Sequence, residues 1–122
     1  MSALYFLAPE AVRRVNAMFG LPASGSEQDW EVEMACAERR GEFFDALASG
    51  TLAHEPDVEA AVAALFIASA DDAIGSGLFS RDEDAAARDF FQKHSDVRAR
   101  MLRLWFQRGE PIHADTIRGW LE

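Results

Sequence analysis

Few residues in this chain are of a type and spacing that could do chemistry. Glu110-Pro111-Ile112-His113 has the Glu-x-x-His spacing of carboxylate-bridged metal sites, but such sites take two pairs and further Glu on facing helices, and here a proline sits inside the motif. His54-Glu55-Pro56-Asp57 offers three ligand types, yet Pro56 and Asp57 serve more simply as a helix start. The remaining histidine, His94, stands alone, and Cys36 is the only cysteine, so neither a zinc site nor an internal disulfide is expected. Lys93 has no Gly-rich turn and no Ser/Thr beside it, which excludes a phosphate-binding loop. Gly75-Ser76-Gly77 follows a helical pattern instead of a strand and reads as a helix stop, not a dinucleotide fingerprint. No catalytic residue, metal or cofactor is predicted, and the chain is not expected to be an enzyme.

What remains is carboxylate, and there is a great deal of it. The formal net charge is -9, and it is unevenly distributed. Residues 26–90 hold sixteen Asp/Glu against four Arg, a net of -12, while residues 1–25 sum to +1 and residues 91–122 to +2. Wound at 100° per residue, Glu27, Glu31, Glu38, Glu42 and Asp45 fall within about 60° of one another and form a row about 27 Å long. Like charges four residues apart cost a few tenths of a kcal/mol each, and Arg39, three before Glu42, is the one intrahelical partner in view. Pairs such as Glu38 and Glu42 on an exposed face would both stay ionised, which suits neither acid nor base catalysis. Asp82, Glu83 and Asp84 form a second acidic patch.

Two accounts of the row compete. Acidic residues in first helical turns complement the dipole without any partner, and Arg98, Arg100, Arg103 and Arg108 are available to fold back against the row. Alternatively the row is a surface for a basic partner, since charge asymmetry reports association more than fold.

The elements that must carry these residues are helical. Pro9 at a first helical position and Gly20 as a stop bound a helix over 9–19. Ser24 with Glu27, or Ser26 with Asp29, starts a second helix that runs to about Ala48 and ends at Ser49-Gly50. Its apolar stripes hold Trp30, Met34, Ala37, Phe44 and Ala48, and beside them Val32, Cys36, Phe43 and Leu47; Gly41 within them reads as a notch for a close helix. Cys36 is expected to be a small buried hydrophobe. A third helix spans Pro56 to about Ile74. Ser80 with Glu83 caps a fourth from Arg81, and the pattern to residue 107 breaks at His94-Ser95, with Ser95 capping the second piece. Trp105 and Phe106, interleaved with the arginines, follow an apolar rhythm and are core residues first. Ile117, Trp120 and Leu121 mark a short terminal helix, and Ala3–Leu7 is the one stretch that permits a strand.

The expectation is an all-α chain, residues 1–122 forming one compact domain of five to six helices in an irregular or orthogonal bundle. The apolar run at Ala3–Ala8 is about half the length of a signal-peptide core, with no Lys or Arg before it, so a cytoplasmic protein with no membrane span is expected. Acidity opposes direct nucleic-acid binding, because phosphate contacts need a basic surface. The leading functional expectation is an acidic binding module for a basic protein partner, most concretely an immunity protein or antitoxin that inhibits a bacterial toxin. The contact residues would be Glu27, Glu31, Glu38, Glu42 and Asp45, with Asp82, Glu83 and Asp84 as the secondary patch. The alternatives are a nucleic-acid-mimicking inhibitor of a defence nuclease and a structural subunit that oligomerises.

Overall fold

From Ala60 to Ala70 the chain carries eleven consecutive residues without a charge, and all eleven are buried. At 3.6 residues per turn such a run points in every direction, so a helix built from it must be covered on every side. That helix is α4, Pro56–Gly75. Pro56 occupies its first turn, with Asp57 and Glu59 beside it at the positive end of the dipole. Its far end closes through Gly77, whose φ of 73° lets the Gly77 N–H reach the Ile74 carbonyl (3.1 Å) and the Leu78 N–H reach the Ala73 carbonyl (2.8 Å).

The structure, a computed structural model, describes residues 7–23, 30–107 and 115–122, the side chains of 106 and 107 excepted. Within them every regular element is helical: α1 (Pro9–Phe19), α2 (Trp30–Glu33), a 3₁₀ turn (Ala37–Arg39), α3 (Arg40–Ala48), α4, α5 (Arg81–Lys93), α6 (Ser95–Leu102), a π-helical turn (Arg103–Gln107) and α7 (Asp115–Leu121). The fold is all-α, and no described helix is long and apolar enough to cross a membrane. The proposed capping boxes at Ser24/Glu27 and Ser26/Asp29, all but Leu7 of the stretch Ala3–Leu7 that permits a strand, and Arg108, Glu110 and His113 lie outside the described residues.

α1, α2, α3 and α6 all pack on α4. Seven buried alanines along α4, Ala60, Ala61, Ala63, Ala64, Ala68, Ala70 and Ala73, let those neighbours approach closely. α1 contributes Ala11, Val12 and Val15, α3 contributes Phe43 and Leu47, and α6 contributes Val97 and Met101. α5 packs chiefly on α6 and α7. Trp120 of α7 ties the two groups together, stacking on Phe66 of α4 (5.9 Å between ring centroids) and Phe91 of α5 (6.1 Å) while its Nε1 donates to Asp84 Oδ1 at 2.7 Å.

One expected helix is not continuous. The stretch read as a single helix to Ala48 is interrupted at residues 34–36, where Cys36 is extended (φ -147°, ψ 110°). The cause lies 33 residues away: the hydroxyl of Ser69, fully buried on α4, accepts the Cys36 N–H at 2.9 Å and replaces the lost intrahelical bond. Trp30 is thereby free to dock separately, its Nε1 donating to Asn16 Oδ1 of α1 at 2.7 Å, while Phe43 meets Phe19 edge-on. The burial expected of this stretch changes accordingly. Val32 and Ala48 are exposed and Cys36 is half-buried. The break at His94 is present as expected, but His94, not Ser95, is the capping position, with its Nδ1 2.8 Å from the Phe90 carbonyl.

Replacing Ser69 by Ala is expected to destabilise the fold by about 1–2 kcal/mol, because it strands the Cys36 N–H. Urea denaturation measures the loss, and hydrogen exchange should accelerate at the Cys36 amide.

Candidate functional site

The break at Cys36 dismantles the carboxylate row. Glu31 is 2% exposed and belongs to the interior, because α2 turns it inward once the helix no longer continues past residue 33. Glu38 is exposed in the 3₁₀ turn and accepts from Cys36 Sγ at 3.4 Å; backbone hydrogen bonding, then that contact, holds its carboxyl below the usual value. Glu42 is exposed but doubly held by Arg39, Nε to Oε2 at 2.9 Å and Nη2 to Oε1 at 2.7 Å, which lowers its pKa. Glu27 lies outside the described residues. Among the described C-terminal arginines, Arg100 reaches the start of α4, bonding the Pro56 carbonyl (2.9 Å) and Asp57 Oδ1 (3.0 Å), and Arg108 lies outside the described residues.

The fold brings together a different set. α3 and α5 flank a cleft of about 270 Å³ between them. Phe44, Phe66 and Phe79 make it aromatic, with the Phe44 and Phe66 rings 5.1 Å apart. Asp45 from one acidic group and Asp82 and Glu83 from the other stand around it, so two patches far apart in sequence share one opening. Asp84 faces elsewhere, accepting from Trp120 and 3.8 Å from Arg88.

One wall is rigidly built. Ser80 and Glu83 form the expected capping box, Glu83 N–H to Ser80 Oγ at 3.1 Å and Ser80 N–H to Glu83 Oε2 at 2.9 Å. The same carboxylate receives Arg40 from α3, Nε to Oε1 at 2.7 Å and Nη2 to Oε2 at 3.2 Å, and Arg40 also donates to the carbonyls of Ala37 (2.6 Å) and Leu78 (3.0 Å). Partial burial alone would push Glu83 up, but the Arg40 hydrogen bond and the Ser80 N–H outweigh it and hold the carboxyl below its ordinary value. The Arg40 guanidinium lies 5.8 Å from the Phe79 ring centroid.

The opposite rim breaks two local rules. Gly41 is the second residue of α3, in its first turn, where glycine forgoes the helix propensity that alanine would supply. Among the described residues no atom stands within 4 Å of where its Cβ would be, so no neighbouring helix uses the expected notch there, and Gly41 lines the cleft without a side chain. Asp45 enters the last turn of α3, the end at which the helix dipole disfavours an anion, and it makes no ion pair among the described residues. Asp82, also exposed and without an ion pair there, occupies the first turn of α5, where the dipole favours it. Sequence reasoning missed Gly41, Phe44, Phe66 and Phe79 as a site.

Other concave or titratable places carry less. A more open hollow of about 500 Å³ near Pro9 and Val58 has its Arg14 paired with Glu55 and its Asp57 paired with Arg100. Glu59 is buried, which pushes its carboxyl up, while His94 and Arg100 pull it partly back. Among the described residues no three His, Cys, Asp or Glu side chains are grouped to hold a metal ion. Comparison with known proteins finds no family model, no curated protein and no solved structure that matches this chain.

Because Glu83 has a depressed pKa in the fold, its contribution is complete above the unfolded-state value near 4.5 and declines as pH falls through the lower folded value. Glu83→Gln is therefore expected to lower stability by about 1–2 kcal/mol at neutral pH, with the gap to the parent narrowing below about pH 4. Denaturant titrations of both proteins across that range check the sign.

Proposed function

We propose that this chain is a non-enzymatic acidic module that binds and blocks a basic macromolecular partner, as an immunity protein or antitoxin blocks a toxin. A single observation carries the proposal: Gly41 and Asp45 each cost the fold stability, have no local structural reason, and stand together at the mouth of the aromatic cleft. Departures from local rules that coincide in space are the expected signature of a site selected for contact instead of folding. The overall charge of -9 supports the same reading, because a negative field raises the encounter rate with a cationic surface before any contact forms. A desolvated aromatic centre with a charged rim then sets how long the partner stays.

The contact surface proposed is the cleft rim, Asp45 and Asp82, with Glu38 as an exposed neighbour in sequence. It is not the five-residue row. A mimic of nucleic acid would call for carboxylates repeating along an unbroken element, and the interruption at Cys36 removes that regularity.

The decisive experiment compares association of the immobilised chain with a protein captured from extract of the cells that make it, at low and high salt. Asp45→Lys and Asp82→Lys are each expected to slow association about tenfold at low salt. Asp45→Lys should leave folding unchanged or improve it by a few tenths of a kcal/mol, whereas Asp82→Lys costs about 0.3–1 kcal/mol at the α5 dipole. A captured protein that is basic and loses its own activity at equimolar chain supports the proposal. Unaltered association rates in both variants, or binding indifferent to salt, refute it.

A further inference from the structure

We propose that the cleft between α3 and α5 is a socket for a single arginine side chain of the partner, the guanidinium lying among Phe44, Phe66 and Phe79 with Asp45 and Asp82 as its counter-ions. This rests on the reading of the chain as a module for a basic partner and specifies which group it captures.

Size is the first constraint. A volume of about 270 Å³ falls just under the range of roughly 300–1,000 Å³ typical of pockets for drug-sized ligands. It corresponds to about nine water molecules, at roughly 30 Å³ each. That is room for one long side chain. Charge is the second. Arg40 stands against Asp45, Asp82 and Glu83, so the lining carries two net negative charges, and because Arg40 is bonded to Glu83 its own cation is neutralised where it sits. An anionic ligand is repelled and a cationic one drawn in.

The aromatic lining then selects among cations. A lysine ammonium is a compact, strongly hydrated charge, costly to bring against phenyl rings. A guanidinium is planar, more weakly hydrated, and able to lie against an aromatic face while donating in its own plane to carboxylates. The protein already displays this chemistry at the same place: Arg40 lies 5.8 Å from the Phe79 centroid while it bonds Glu83 along its edge. An incoming guanidinium would make a like arrangement with the half-buried Phe44 as surface, the buried Phe66 behind it, and Asp45 and Asp82 as edge partners. Gly41 is what leaves the mouth wide enough, since any side chain there would project into unoccupied space at the rim.

The test uses the full chain, ¹⁵N-labelled, titrated at constant ionic strength with N-acetyl-arginine amide, its lysine counterpart and its citrulline counterpart. The arginine probe should give saturable shifts confined to amides near Gly41, Phe44, Asp45, Phe79 and Asp82, with a dissociation constant on the order of 1 mM, the scale of one anchored side chain. Lysine should bind at least about fivefold more weakly and citrulline, which has the shape without the charge, should not saturate. Gly41→Leu keeps every carboxylate and enters open space in a helix, so it should fold and weaken arginine binding at least about tenfold. Equal shifts from arginine and lysine, shifts spread over the acidic surface, or unaltered arginine binding in Gly41→Leu overturn the socket. The two proposals fail separately. No arginine binding while Asp45→Lys still slows partner association removes the socket alone. Saturable, localised arginine binding with partner association indifferent to both Asp45→Lys and Asp82→Lys supports the socket and overturns the reading of function.

Discussion

The constraint on which everything else depends is that α4 has no polar side over its central eleven residues. An amphipathic helix needs one covering layer, whereas this one needs several, and a chain of 122 residues has few helices to supply them. The stretch around residues 30–48 solves part of the problem by breaking. One straight helix would lay a single face on α4, but two short pieces with an extended Cys36 between them seat Trp30 against α1 and Phe43 and Leu47 against α4. With α1, α2, α3 and α6 engaged in this way, α5 packs on α6 and α7. The cleft is the space left between α3 and α5, which meet through Arg40 and Glu83 and through the Phe44 and Phe90 rings, 5.9 Å between centroids.

The acidic middle of the chain is less available than its charge suggests. Glu55 pairs with Arg14, Glu42 with Arg39, Glu83 with Arg40, Asp57 with Arg100 and Asp89 with Lys93. Exposed pairs of this kind add little to stability, around 0–1 kcal/mol, yet each removes a carboxylate from the list of candidates for an outside partner. What matters for association is therefore not where the sequence is most acidic but where a carboxylate stands without a local cation. Among the described residues Asp45 and Asp82 make no ion pair, Arg40 beside them being bonded to Glu83, and they stand on opposite sides of the same opening.

How much of this could be read from the sequence follows from the distance over which each cause acts. Pro56, the Gly75-Ser76-Gly77 stop, the Ser80/Glu83 capping box and the interruption at His94 all arise from interactions within a few residues, and each is found in place. The break at Cys36 was not legible, because its cause is the hydroxyl of Ser69, whose neighbours mark it as nothing more than part of an apolar helix. Without that break, helical geometry alone predicts a continuous row of carboxylates and puts Glu31 in solvent, whereas the chain buries it. The cleft combines residues of α3, α4 and α5 and has no motif. Its trace in the sequence is a glycine inside a helix and an aspartate near that helix's end, each readable as an ordinary cost. Their meeting at one rim is a fact of tertiary structure.

A glycine and an aspartate that weaken α3 would be unremarkable if they lay on different faces or served a buried contact. A Cβ at Gly41 would meet nothing among the described residues, and Asp45 follows it by four residues, one turn on, so both line the same space. Alanine at 41 and a neutral or basic residue at 45 would strengthen the helix by the ordinary rules of propensity and dipole, with no clash to prevent either change. The wall opposite is, by contrast, over-determined: Glu83 accepts from Ser80 and twice from Arg40, and Arg40 is further fixed by two backbone carbonyls. A rigid aromatic and ionic wall facing a rim that sacrifices helix stability is the arrangement a binding site requires, because the fixed side lowers the entropy of capture and the open side admits the ligand.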